Sequence, residues 1–545
     1  MDRKKIPVGQ DDFASLINEG YYFVDKSLFI KDLVEYRDLV NLITRPRRFG
    51  KTLNMSMLQY FFENNDGKFA HLFEKLKIAK EQQICDRHMG KYPVINLTFM
   101  NAKHNTFEDA LASLKIAISD EYKRHINAVN AYSYNRRRIE AIINCEDDSV
   151  AVYNESLSFL TQILGDFYKS KVIILIDEYD VPLEAAYTGG YYEEMLSFVR
   201  SLLRSALKSN KHLCFAVLTG CLRISKESVF TGLNNFSTFT AMNTTFSEYF
   251  GFTADEVKQY LQYYNLANKM DEMREWYDGY AMFDFDIYNP WSVTKQIKAY
   301  LLEQAAPVSH WGNTSGNDIV KLLIDRAEAN TKNEIEILLS GKTITKPISE
   351  DMTYAELYDN ANNIWSFLFY TGYVTADKIQ ILNGVRYVDL QIPNKEVEYI
   401  FVTKIQEWFN KAMIDNDTLN LILKKDSELV QEHLNMLLFN AISYMDYSEN
   451  YYHGIVTGLL ADSGDFIMKS NRETGLGRAD ITLQNSRTAI VIEIKVADSR
   501  NKLDLLSQQA LAQIDSRQYA EEFTCEEHIK VGIAFYKKQC SVVIA

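Results

Sequence analysis

Four short runs in the first half of the chain are apolar at nearly every position: Val40 to Thr44, Val94 to Phe99, Val172 to Ile176 and Phe215 to Thr219. A strand with one wet face alternates, so runs apolar on both faces predict buried parallel strands with helices on either side. The stretch Leu53 to Phe62 behind the first run reads as such a helix. From Phe252 the pattern turns helical, through Asp255 to Asn265 and on to about residue 440, with a small irregular insert around Thr343 to Pro347. A last α/β pattern begins near Asp446. It holds strands at Ala479 to Leu483 and Ala489 to Ile494, a helix at Leu503 to Tyr519 and a final strand at Val531 to Phe535. The expected fold is therefore α/β: a parallel-sheet domain over 1–250, a mostly helical lid or linker over 251–440, and a smaller α/β domain over 441–545.

The length of 545 residues agrees with about three compact units. A net charge of −14 repels polyanions at long range, so contact with nucleic acid requires a local basic groove or a bound divalent ion. Six cysteines without CxxC pairing or zinc-finger spacing read as reduced thiols. The N-terminal segment lacks the apolar stretch of a signal peptide, and no apolar run approaches a membrane span. A soluble, cytoplasmic protein is expected.

Arg45-Pro46-Arg47-Arg48-Phe49-Gly50-Lys51-Thr52 follows the first strand and precedes a helix, the strand-loop-helix context of a P-loop. In that geometry the loop amides surround the β- and γ-phosphates of ATP, Lys51 reaches their oxygens, and the Thr52 hydroxyl ligates Mg²⁺. The first position is Arg45 where such loops carry glycine, and Pro46 stiffens the turn. The three arginines either answer triphosphate charge or pair with acids elsewhere.

The strand Val172 to Ile176 ends in Asp177-Glu178-Tyr179-Asp180. Asp177 stands where a carboxylate holds nucleotide-bound Mg²⁺, and Glu178 where a base polarises the attacking water. The fourth strand ends Thr219-Gly220-Cys221-Leu222-Arg223, at the carboxyl edge where open α/β sheets bind ligands. Arg223 reads either as a γ-phosphate sensor or as a partner in a structural salt bridge.

With Val24-Asp25-Lys26-Ser27, the RPRRFGK loop, IDEYD, Leu222-Arg223-Ile224-Ser225-Lys226 and Trp276-Tyr277-Asp278-Gly279-Tyr280, residues 5–300 resemble the bacterial AAA-ATPase-like proteins of unknown role. Arginine at the first loop position is normal in that family. The resemblance implies ATP binding and slow hydrolysis in a switch-like ATPase, without implying a substrate. Tyr288-Asn289-Pro290 and Asn313-Thr314-Ser315-Gly316 also fit it; from the residues alone they read as a turn and a helix cap.

Near the C-terminus, Gly477-Arg478-Ala479-Asp480 opens one strand and Glu493-Ile494-Lys495 lies in the next. The two-residue strand period puts Glu493 and Lys495 on one face, and Asp480 joins them from the neighbouring strand. Two carboxylates there can bind Mg²⁺ or Mn²⁺, and an ammonium can position water or steady phosphorane charge. This segment, about 446–540, resembles the PD-(D/E)XK nuclease superfamily, with Ala479 where the motif has proline. The resemblance adds Glu449 as a further metal ligand and likens Gln513 and Tyr519 to a "QI…Y" segment that could face the phosphate backbone. From the residues alone that helix reads equally as one packed on the sheet. His453 and Glu473 are additional candidates, with His453 reading also as a packing histidine.

Together these features predict an ATP-regulated nuclease acting on DNA or RNA. The alternative is a nucleotide-switched binding protein whose nuclease-like domain grips nucleic acid or a protein without cutting. A third reading is an ATPase doing mechanical work on nucleic acid. The sequence leaves oligomeric state open.

Overall fold

The structure is a computed structural model. It describes residues 3–146, 149–224, 230, 236–282, 285–302, 305–312, 329–350, 354, 356, 361–403, 418–440, 449–460, 464–474, 477–521 and 523–545. The chain divides into two compact units, Met1–Thr314 with Thr343–Glu398, and Ser315–Lys342 with Tyr399–Ala545.

In the first unit, β1 (Val40–Thr44), β2 (Val94–Thr98), β3 (Val172–Asp177), β4 (Leu213–Gly220) and β5 (Phe236–Phe239) form a parallel sheet in the order β2-β3-β4-β1-β5. Every residue of β1 and β3 is buried, as the two-sided apolar pattern requires. Phe61, Phe62 and Leu58 of the helix Lys51–Phe62 pack with Ile43, Ile173 and Val217 from the sheet. Because β4 lies between β1 and β3, the ends of the phosphate-loop strand and the acid-bearing strand flank the end of β4.

Helices dominate the following region, but two small antiparallel sheets interrupt them. One contains β6 (Phe252–Thr253), β7 (Tyr280–Met282) and β8 (Phe285–Tyr288); the other contains β9 (Ile344–Pro347), β10 (Thr375–Leu382) and β11 (Val385–Gln391). The irregular reading of Thr343 to Pro347 is thus replaced by an edge strand. Asn383 and Gly384 turn β10 into β11 with φ of 52° and 78°, the left-handed pair of a tight hairpin.

In the second unit, β12 (Ile467–Thr474), β13 (Gly477–Gln484), β14 (Thr488–Val496), β15 (Glu527–Tyr536) and β16 (Gln539–Ile544) form a sheet in sequence order. All pairs are antiparallel except β14 with β15, which are joined by a crossover through the helix Leu503–Ser516. A Cβ at Gly532 would stand 2.3 Å from the Ser507 carbonyl oxygen, so glycine there lets the helix lie directly on the sheet. Ile481, Ile492, Ile494, Val531 and Ile533 pack with Val430, Leu434 and Val456 from preceding helices. Among the described residues no helix is long and apolar enough to cross a membrane.

Candidate nucleotide and nuclease-like sites

Arg48 and Gly50 take left-handed backbone conformations, φ 72° and 81°, which bend the loop before the helix begins at Lys51. No acceptor among the described residues takes the amides of Arg48, Gly50, Lys51 and Thr52. Buried amides normally have partners, and a row of open ones at a helix N-terminus is an anion-binding arrangement. Pro46 packs against Gly372, whose φ of 87° keeps its backbone where a side chain would crowd the proline. Phe49 is buried edge-on against Tyr280.

Lys51 is buried, and its ammonium donates to the carbonyls of Arg45 and Pro46, each at 3.0 Å, with the Cys221 Sγ at 3.8 Å. The Thr52 hydroxyl donates to the Asp177 Oδ2 at 2.6 Å. The other Asp177 oxygen accepts from the Thr219 hydroxyl at the end of β4. Glu178 adopts a left-handed φ of 53°, which breaks the strand and separates its course from that of Asp177. Burial is the largest influence on the Glu178 carboxyl and raises its pKa, opposed by the Lys51 charge and reinforced by Asp177 and Asp180. Asp180 is buried and accepts the amides of Cys221 and Leu222 at 2.8 and 3.0 Å, while the Tyr179 hydroxyl donates to the Leu222 carbonyl at 2.7 Å. The last two residues of IDEYD therefore clamp the loop after β4.

The four arginines assigned to the nucleotide have different surroundings. Arg45 is fully buried, donates to the carbonyls of Thr44 and Phe239 at 2.8 Å each, and lies 5.5 Å from the Phe250 ring. Burial lowers its pKa to about 9. Arg47 pairs with Glu184 at 2.5 Å. Arg223 pairs with Glu350 at 3.4 Å, and Glu350 also pairs with Arg386 of β11. Arg48 is exposed and lies 4.3 Å from the Trp291 ring centre. Lys26 of the VDKS segment is buried; it donates to the Glu248 carbonyl at 2.6 Å and to Glu256 at 2.5 Å, where Glu256 also closes the capping box of the helix Ala254–Tyr263. The segment thus serves the scaffold. Ser225, Lys226 and residues 313–316 lie outside the described residues.

In the second unit, Asp480 and Glu493 sit one step beyond the last β13–β14 pair, Ile481 with Ile492. Asp480 Oδ2 accepts the Ile494 amide at 2.7 Å. Burial raises the Asp480 pKa, opposed by that amide and by the charges of His453 and Lys495. Glu493 is 4% exposed. Gln513 joins the other two groups: its amide nitrogen donates to Glu493, and its carbonyl oxygen accepts from the Lys495 ammonium at 2.6 Å. Glu493 and Lys495 do share the face toward the helix Leu503–Ser516. His453 contacts the Asp480 main-chain carbonyl at 3.0 Å. Tyr519 is buried with Ala479, Ala489, Val491 and Phe523, a packing position. Glu449 begins the helix Glu449–Leu459 and Glu473 lies in β12; their side chains fall outside the described residues. Among the described residues no group of three or more His, Cys, Asp or Glu side chains is gathered as a metal site.

The donor sets nevertheless have the right chemistry. Thr52 and Asp177 offer hard oxygen ligands beside open loop amides, and Asp480 and Glu493 offer two carboxylates from adjacent strands. Mg²⁺ takes such ligands one or two at a time and keeps several waters. The sequence places the Thr219 hydroxyl at the ligand-binding edge but does not pair it with Asp177, and it gives no sign of Glu184. Strand order brings Thr219 to Asp177 and helix packing brings Glu184 to Arg47, which local pattern does not encode.

Residues 7–230 match the family model described as predicted AAA-ATPase, and residues 447–544 match that of the PD-(D/E)XK nuclease superfamily. An uncharacterized protein from the vnfD 5' region of Azotobacter chroococcum mcd 1 is 25% identical over an alignment spanning 100% of this chain and 98% of the relative.

Proposed function

We propose that this chain, an AAA-ATPase-like domain joined to a PD-(D/E)XK nuclease-superfamily domain, binds and hydrolyses ATP and cleaves nucleic-acid phosphodiesters under nucleotide control. The observation that carries the reading is the hydrogen bond between Thr52 and Asp177, which brings the phosphate loop and the acid-bearing strand to one point.

In this reading Lys51 and the loop amides bind the phosphates, Thr52 and Asp177 hold Mg²⁺, and Thr219 orients the Asp177 carboxylate. The metal supplies charge neutralisation on the phosphate chain. Glu178 accepts a proton from the attacking water, a task favoured by a carboxyl whose pKa burial has raised. In the second unit Asp480 and Glu493 hold Mg²⁺ or Mn²⁺. Gln513 fixes Glu493 relative to Lys495, whose ammonium stabilises negative charge developing on the phosphate. Control of cleavage at these carboxylates by the nucleotide state is the proposed regulation.

A Glu178→Gln variant tests the first half. It should bind ATP like the parent protein while hydrolysis falls by a factor on the order of 100 or more. Unchanged hydrolysis would remove Glu178 from the reaction.

The second reading, recognition without cleavage, draws on Ala479 where the motif has proline and on the engagement of both acids by protein groups. Metal-dependent cleavage abolished by Lys495→Ala would exclude it.

A further inference from the structure

The cations around the phosphate loop differ in whether their charge is already answered. Arg47 and Arg223 have carboxylate partners, and Arg45 is turned into the protein against carbonyls. Arg48 and Lys295 differ from these. Among the described residues neither has a carboxylate within ion-pair distance, and both lie over one indole, with Arg48 Cζ at 4.3 Å and Lys295 Nζ at 4.5 Å from the Trp291 ring centre. The two charges are therefore within about 9 Å of each other, comparable to the screening length of physiological salt.

Asn289 sets this platform by accepting the Trp291 and Ser292 amides at 3.0 and 3.3 Å at the start of the helix Pro290–Leu302. The field of Lys295 is felt nearby: His310 is held down to about 4, chiefly by burial and further by this lysine. Glu396, the acid on which Lys295 also acts, is buried and accepts from Ser292 and from the His310 and Trp311 amides, without pairing to the ammonium. Two like charges on one ring repel each other, and an anion would relieve that repulsion. Arg48 belongs to the same loop whose amides lack acceptors.

We infer that Arg48 and Lys295, held on Trp291, join Lys51 as cations that receive the phosphate chain of the nucleotide, so that the binding site extends beyond the AAA-ATPase-like match to the Tyr288-Asn289-Pro290 segment. The inference rests on the ATP-binding reading above and adds to it the residues that answer the phosphate charge.

Calorimetric titration of the full chain with Mg²⁺-ATP, inorganic tripolyphosphate and adenosine tests this assignment. Arg48→Ala and Lys295→Ala should each weaken ATP and tripolyphosphate about tenfold, and the double variant more than either alone, with adenosine unchanged. Arg48→Lys should recover part of the loss. If the double variant binds ATP and tripolyphosphate like the parent while Lys51→Ala does not, the inference is wrong and the P-loop reading stands. If the parent protein itself binds neither compound, the P-loop reading falls and the inference with it.

Discussion

Thr52 and Asp177 are 125 residues apart in sequence, yet the hydroxyl of one donates to the carboxylate of the other at 2.6 Å. The bond is possible because Asp177 ends β3 while Thr52 opens the helix that follows β1 in the same parallel sheet, with β4 between the two strands supplying Thr219 to the remaining Asp177 oxygen. Thr52→Val should therefore weaken ATP binding by about tenfold in the presence of Mg²⁺ and far less in its absence. Titrations with and without the metal read that difference directly; equal losses in both would place the hydroxyl outside the metal's ligand set.

Gln513 predicts a graded effect in the second unit. Gln513→Ala removes the link between Glu493 and Lys495 while leaving both groups present. Cleavage should fall about 10- to 100-fold, with higher metal concentration restoring part of it, whereas Asp480→Asn and Lys495→Ala should leave no measurable cleavage. A metal titration of each variant separates the two classes.

Lys26 and Glu256 form a largely enclosed ion pair, their side chains 8% and 18% exposed. Removing the lysine leaves Glu256 without its counter-charge and deprives the Glu248 carbonyl of its donor. Lys26→Met should cost about 3 kcal/mol. A denaturant midpoint unchanged from the parent would contradict this.

Glu396 makes stability depend on pH. Burial raises its pKa from 4.5 to about 7, against the Ser292 hydroxyl and the Trp311 and His310 amides, which favour the charged form. Between these values the folded chain holds a proton that the unfolded chain has lost. Stability therefore falls as pH rises through this window, by on the order of 3 kcal/mol for this group. Glu396→Gln should flatten the decline between pH 5 and 8 in denaturant titrations, and an unaltered slope would assign the dependence to other groups.

The strands of the first sheet were legible because burial on both faces leaves continuous apolar runs, as in Val172 to Ile176. Their order was not, since insertion of β4 between β1 and β3 is a long-range pairing that no local pattern records. The β10–β11 hairpin carried a readable sign, Asn383-Gly384 between alternating segments, but the helical character around it masked the signal. In the sites, the two-residue period placed Glu493 and Lys495 on one face correctly. The arginines were harder to place, because charge alone does not distinguish Arg45, satisfied by buried carbonyls, from exposed Arg48 beside Trp291.

The central claim is that one chain couples a nucleotide site to a phosphodiester-cutting site. Its most direct test is incubation of the full protein with supercoiled plasmid and with RNA, in Mg²⁺ or Mn²⁺, with and without ATP, beside Lys51→Ala and Lys495→Ala. Metal-dependent cleavage that is lost in Lys495→Ala and no longer responds to ATP in Lys51→Ala is the predicted result. Intact DNA and RNA under every condition, from a protein that still binds ATP, would contradict the claim and leave the C-terminal domain a recognition module.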